Sequence, residues 1–216
     1  MSIMIALPCH GGIVTEKTTM SLFKLGKLLV REGIPHGLMT QANSSLITQG
    51  RSKIANFFMN NTDNDYLFFL DSDIGFEPED VLRLYFNDVE ISSGAYPMKT
   101  IPIRYCVNLI EPEQRRGDLV KIHGNGMGFV MVHRSVFERM SQAYPHLKQI
   151  PPGDDSNYPV TEKELHNSYH YFAEEKVDGG FKSEDMSFFH RATQIGYDVW
   201  LDTTIKLSHT GSHIFQ

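Results

Sequence analysis

Residues 66–70 read Tyr-Leu-Phe-Phe-Leu and run straight into Asp71-Ser72-Asp73. Five consecutive apolar residues predict a strand buried on both faces, because a strand with one wet face would alternate. Pro78 follows where the first turn of a helix should start. Glu79 and Asp80 stand beside it, and Val81, Leu82 and Leu84 come after. Proline suits the first helical turn, and acids there complement the positive helix end. A buried strand emptying into two acids and a helix start is one unit of an alternating fold.

The same alternation extends upstream and downstream. Residues 3–8 (IMIALP) form a short apolar run ending in Pro-Cys-His-Gly-Gly, which predicts a buried first strand and a glycine-rich turn. Residues 18–31 carry Met20, Phe23, Leu25, Leu28 and Leu29 at helical spacing, and Gly33 closes that helix. A second strand is expected at 34–40. Asn43 or Ser44 caps a second helix running to about residue 60, with Ile47, Ile54, Ala55, Phe58 and Met59 on its apolar face. Residues 91–96 supply a fourth strand. This order predicts a single-domain α/β protein with a mostly parallel central sheet flanked by helices. Ligands would sit at the C-terminal strand ends.

The second half is less regular. Strands are expected at 103–109 and 119–122, with the charged 111–118 (EPEQRRGD) as a hairpin loop. Gly124-Asn125-Gly126-Met127-Gly128 leads into a strand at 129–132 and a helix around 135–140. Residues 148–167 form a long polar stretch, expected to be either a lid that folds over the donor or a disordered loop. Ser183 caps a helix with Glu184 and Asp185 in its first turn, ending near Gly196. Short strands are expected at 199–201 and 205–207.

Composition excludes several classes. The 216 residues carry a net charge of −6, which argues against broad nucleic-acid binding. No apolar stretch approaches the ~18 residues of a membrane span. The first apolar run has no preceding basic residue and stops at Pro8, unlike a signal peptide. Cys9 and Cys106 are isolated, which fits a reducing, cytoplasmic compartment.

Asp71-x-Asp73 carries the strongest chemical signal. Residues i and i+2 of a strand point the same way, with Cα atoms ~6.6 Å apart. Two carboxylates so placed repel unless a cation sits between them, and Mg²⁺ or Mn²⁺ prefers such oxygen ligands. An EF-hand loop beginning at Asp71 would need an acid where Leu82 stands. A haloacid-dehalogenase type of motif belongs on the first strand and would need Thr or Val where Gly75 stands.

With these residues in view the chain resembles GT-A-fold glycosyltransferases. FFLDSDIGFEPEDVLRL, GAYPMK, GNGMGFVMVHRSVF, SEDMSFF and SHTGSH occur in that family's order, over about residues 3–213. More narrowly, the chain is similar to the N-terminal domain of a multidomain glycosyltransferase encoded by chlorella viruses. The resemblance implies a GT-A (Rossmann-like) fold. It implies transfer of a hexose or deoxyhexose from a UDP-sugar, of the UDP-glucose or UDP-rhamnose type, to a glycan acceptor, with Mn²⁺ or Mg²⁺ bound. A viral chain would act in the host cytoplasm. Residues 1–100 would form the nucleotide-binding half and 101–216 the donor-sugar and acceptor half. The chain stops soon after its last candidate ligand, as one domain of a longer polypeptide would.

Residue by residue, the resemblance makes Asp71, Asp73 and His209 the metal ligands, with His213 a rival to His209. It places Pro8, Cys9 and His10 against the base and ribose, and makes Ser72 a further donor-binding residue. Arg51 matches a position that contacts the nucleotide, although a solvated helix arginine would look the same. Lys99, after Tyr96 and Met98, would pair with the diphosphate, or be a surface lysine. Gly126 and its neighbours would lie under the donor sugar. Asp185, with Glu184, would face the acceptor, although both acids also suit a helix start. The stereochemical outcome stays open; His209 as a third ligand tilts it toward retention. Sugar-1-phosphate nucleotidyltransferases share the alternating sheet, but PCHGGIV lacks the arginine of their first-strand loop. A non-catalytic nucleotide- or carbohydrate-binding module is the alternative outside enzymes.

Overall fold

The computed structural model describes residues 1–42, 44–149, 161–211 and the backbone of 214–215. The first half alternates as expected. β1 (Ile3–Cys9) leads to α1 (Glu16–Arg31), β2 (His36–Ala42) to α2 (Ile47–Asn61), and β3 (Tyr66–Leu70) to α3 (Pro78–Phe86). A two-residue strand, β4 (Ile74–Gly75), lies between β3 and α3. There follow β5 (Ile91–Ser93), β6 (Val107–Leu109), β7 (Arg115–Arg116), β8 (Leu119–Asn125), β9 (Phe129–His133) and α4 (Arg134–Ala143). The last third holds α5 (Glu162–His166), β10 (Glu175–Val177), β11 (Gly180–Lys182), α6 (Glu184–Gln194), β12 (Val199–Asp202), β13 (Ser208–Thr210) and β14 (Ile214–Phe215).

The main sheet runs β2-β1-β3-β9-β5-β12-β8-β6, with β7 on β8. β1 pairs in parallel with β2 and β3, and β5 with β12. β9 inserts antiparallel between β3 and β5, and β8 runs antiparallel to β12. The sheet is therefore mainly parallel, with reversed strands in its second half.

Strand alternation splits the core into two layers. Ile3, Ile5, Leu7, Tyr66, Phe68 and Leu70 face α1 and α3, where Leu25, Leu29, Val81 and Leu84 are buried. Met4, Ala6, Leu67 and Phe69 face α2, α4 and α6, against Phe58, Phe137 and Phe188. Both faces of β3 are covered, which is why its sequence is continuously apolar.

Several boundaries differ from expectation. The second strand starts at His36 rather than 34, and the fourth stops at Ser93 rather than 96. The strand expected from 103 begins only at Val107. Ser44 does not cap α2: its hydroxyl donates to the Leu46 carbonyl, and Leu46 holds the cap position. Asn43 lies outside the described residues. Ile205 and Leu207 are buried, but they form no strand; the ladder falls on Ser208–Thr210. Of the loop expected at 148–167, residues 150–160 lie outside the described residues. Its end is helical, started by a capping box of Thr161 and Glu164. Ser183 holds the cap position of α6, but its hydroxyl donates to the Asp185 carboxylate. No helix among the described residues is long and apolar enough to cross a membrane.

Candidate active site

The acids after β3 sit on a turn fixed by backbone on three sides. Asp71 N–H donates to the Gly128 carbonyl at 2.9 Å, and Ile74 N–H to the Asp71 carbonyl at 3.2 Å. Thr15, the α1 cap residue, donates its N–H to the Ser72 carbonyl at 2.9 Å. β13 pairs antiparallel with β4, opposing His209 to Ile74, and Thr210 N–H reaches the Asp73 carbonyl at 2.9 Å. A residue 136 positions beyond Asp73 is thus delivered to it by a two-residue ladder.

His209 Nε2 lies 3.2 Å from Asp73 Oδ1, and Lys99 Nζ lies 2.5 Å from Asp73 Oδ2. His209 Nδ1 sits 2.9 Å from the Pro97 carbonyl, which can only accept, so Nδ1 carries a proton. A hydrogen bond donated by Nε2 to Asp73 then belongs to the doubly protonated ring, whereas the neutral ring would turn an Nε2 lone pair toward a cation held on Asp73. Burial raises the Asp73 pKa, but hydrogen bonds from His209 and Lys99 outweigh it, and the carboxyl is held below its ordinary value.

Arg51 is not the solvated helix arginine that the sequence left open. It is 5% exposed and bridges two acids: Nη1 donates to Glu184 Oε1 at 2.6 Å and Nη2 to Asp71 Oδ1 at 3.2 Å. Burial lowers its pKa, but Asp71 and Glu184 together push it above the ordinary value. Nε has no partner among the described groups. Arg51 therefore ties the end of β3 to the first turn of α6, with both guanidinium ends already committed.

Tyr96 is a site component that the motif analysis noticed only in passing. It is buried, its ring edge meets His209 at 5.2 Å, and Gly128 N–H reaches its hydroxyl. Burial first, then Asp71, drives its pKa up. The glycine cluster fits around it. A Cβ on Gly126 would collide with the Tyr96 hydroxyl, and one on Gly128 would stand 2.6 Å from Asp71 Oδ2. The glycines at 126 and 128 thus allow the close approach of Tyr96 and Asp71. Gly128→Ala is expected to push the Asp71 carboxylate away from Arg51 and destabilise the fold by about 1–3 kcal/mol, the usual range for overpacking a filled site. A melting curve of the variant checks this; an unchanged midpoint would mean that Asp71 is free to shift without consequence.

The remaining candidates divide. Cys9 is buried at the end of β1, and burial first, then Asp71, raises its thiol pKa. Pro8 is half-buried and His10 exposed just beyond it. Asp185 is half-buried, accepting from Ser183 and from Met186 N–H. His213 lies outside the described residues. A cavity of about 880 Å³ opens beside β4 and β13, lined by Met20, Phe76, Tyr105, Ile205 and Leu207 among others; Asp71, Asp73, Lys99 and His209 contribute nothing to its wall.

No group of three or more acid, histidine or cysteine side chains is spaced to hold a metal among the described residues. The chain offers two facing donors, the Asp73 carboxylate and His209 Nε2. That set suits Mn²⁺ or Mg²⁺, which keep several positions for water and substrate phosphate.

No protein-family model matches the chain, and no curated protein matches it in sequence. Solved structures match its fold. The catalytic domain of Drosophila β1,4-galactosyltransferase 7, in complex with xylobiose, is 18% identical with a TM-score of 0.51; the match covers 99% of this chain and 70% of that one. GalNAc-T7 with UDP, GalNAc and Mn²⁺ is 8% identical with a TM-score of 0.55, covering 96% of this chain but only 43% of that one. The inositol-1-phosphate CTP transferase from T. maritima is 10% identical with a TM-score of 0.50, covering 97% and 89%. The chain thus has the fold of GT-A glycosyltransferases, a fold that a nucleotidyltransferase shares.

Proposed function

We propose that the chain is a metal-dependent glycosyltransferase that moves a hexose or deoxyhexose from a UDP-sugar to a glycan acceptor. The observation that carries this reading is the facing pair of Asp73 and His209 at 3.2 Å, at the C-terminal end of a central strand. Ligands of open α/β sheets bind at such ends. Asp73 and His209 would hold Mn²⁺ or Mg²⁺, and the bound cation would neutralise the charge of the departing diphosphate.

The chain's own residues then have distinct tasks. The Pro97 carbonyl holds the Nδ1 proton of His209, so Nε2 is the nitrogen that would bind the cation. Arg51 holds the Asp71 and Glu184 carboxylates in place. Cys9, with Pro8 and His10, would border the base and ribose at the end of β1. Asp185 would orient the acceptor hydroxyl, taking its proton or steadying positive charge at the anomeric carbon. Retention is the favoured outcome, and NMR of the product anomer decides it. The likeness to the chlorella-virus enzyme rests on motif order alone.

The second reading is a sugar-1-phosphate nucleotidyltransferase, favoured by the shared fold of the T. maritima enzyme. The products separate the two. Incubation with UDP-sugars and Mn²⁺ is expected to release UDP slowly by hydrolysis and faster with acceptor. Pyrophosphate formation from UTP and a sugar phosphate would instead establish the nucleotidyltransferase. Donor binding with neither product would leave a binding module. A thermal-shift screen with and without Mn²⁺ identifies the donor first, because ligands raise apparent stability by mass action.

A further inference from the structure

The carboxylate at the centre of the site is already neutralised from within the chain. Lys99 Nζ lies 2.5 Å from Asp73 Oδ2, while the other oxygen faces His209. Lys99 belongs to an exposed loop, residues 98–105, closed at its base. Pro97 and Tyr105 form a bridge there, and Met98 N–H donates to the Arg104 carbonyl at 2.7 Å. The base is fixed: Tyr96 and Pro97 are buried, and the Pro97 carbonyl holds His209. The tip is free of the core, and the Lys99 side chain is 39% exposed on a flexible four-carbon stem. The ammonium can therefore leave Asp73 without repacking anything buried.

A divalent cation on Asp73 and an ammonium on the same carboxylate would stand a few ångströms apart and repel each other. We propose that Lys99 is a built-in counter-cation that a divalent cation displaces from Asp73, and that the displaced ammonium then pairs with the donor's diphosphate. This rests on the reading of Asp73 and His209 as a cation site. The exchange replaces a monovalent ammonium with a divalent cation on the same carboxylate. It couples the two ligands. Metal frees Lys99 for phosphate, and phosphate draws Lys99 away from metal, so each tightens the other beyond their direct contact.

Mn²⁺ binding to the whole chain, followed by the electron paramagnetic resonance of the free ion, tests the exchange. Without nucleotide, Lys99→Met is expected to bind Mn²⁺ about three- to fivefold tighter than wild type, the range of a partly exposed ion pair. Lys99→Arg, which keeps the charge, is expected to match wild type. At saturating Mn²⁺ the order reverses: Lys99→Met is expected to bind UDP about tenfold more weakly, as a lost charge-assisted hydrogen bond would give. Unchanged or weaker Mn²⁺ binding by Lys99→Met overturns the exchange while the cation site stands. Unchanged UDP affinity overturns the transfer to diphosphate. Absence of Mn²⁺ binding in both proteins removes the cation site itself, and the exchange with it.

Discussion

Asp73→Asn is expected to lower UDP release by about a thousandfold, and the residual rate should no longer respond to Mn²⁺. A carboxamide nearly matches the carboxylate in shape, but it is neutral and a poor ligand for a hard cation. Losing the several kcal/mol that a cation supplies to a leaving diphosphate corresponds to about three decades of rate. The fold should survive. The amide oxygen can still accept from Lys99, its NH₂ can donate to His209 Nε2, and Thr210 binds only the backbone carbonyl of Asp73. Rates across a Mn²⁺ titration, with a melting curve of the same preparation, provide the measurement. Wild-type turnover in this variant would sink the cation site.

The second large effect is on stability. Arg51→Met is expected to destabilise the fold by about 2–4 kcal/mol, because it leaves Asp71 and Glu184 facing each other without their shared cation. The Arg51 side chain is 6% exposed and its partners 24% and 17%, so water screens the bare acids little. At about 2–4 °C per kcal/mol for a chain of this size, melting should fall by roughly 5–15 °C. Adding Asp71→Asn and Glu184→Gln to Arg51→Met should recover much of the loss, since the penalty belongs to the unpaired charges. A single variant melting within a degree of wild type would mean that the bridge contributes nothing to the fold.

These predictions draw on residues of unequal legibility. β3 and α3 fall on the residues expected, because a run of five apolar residues and a proline at a helix start leave few options. The insertion of β9 between β3 and β5 was not legible. Periodicity says that residues 129–132 form a strand, not which neighbours it takes. Ile205 and Leu207 suggested a strand because they are apolar, but they are buried outside any ladder, and apolarity signals burial as readily as strand. The actual ladder lies on Ser208–Thr210, whose pairing is made by backbone. In the site, Asp71-x-Asp73 was visible as a local spacing. The bridge from Arg51 to Glu184 spans 133 positions, and no local pattern records a partner so far away. Gly126 and Gly128 signalled a close approach without naming Tyr96 and Asp71 as what approaches.

The short ladder between β4 and β13 also orders events in time. Every strand of the main sheet is synthesised before residue 208. The sheet can assemble as the chain emerges, but the imidazole arrives afterwards, carried in by the tail. On the proposed function, a chain cut after Leu207 would keep the strands of the main sheet and lose the imidazole that faces Asp73, so activity would wait on the closing clasp rather than on the body it fastens.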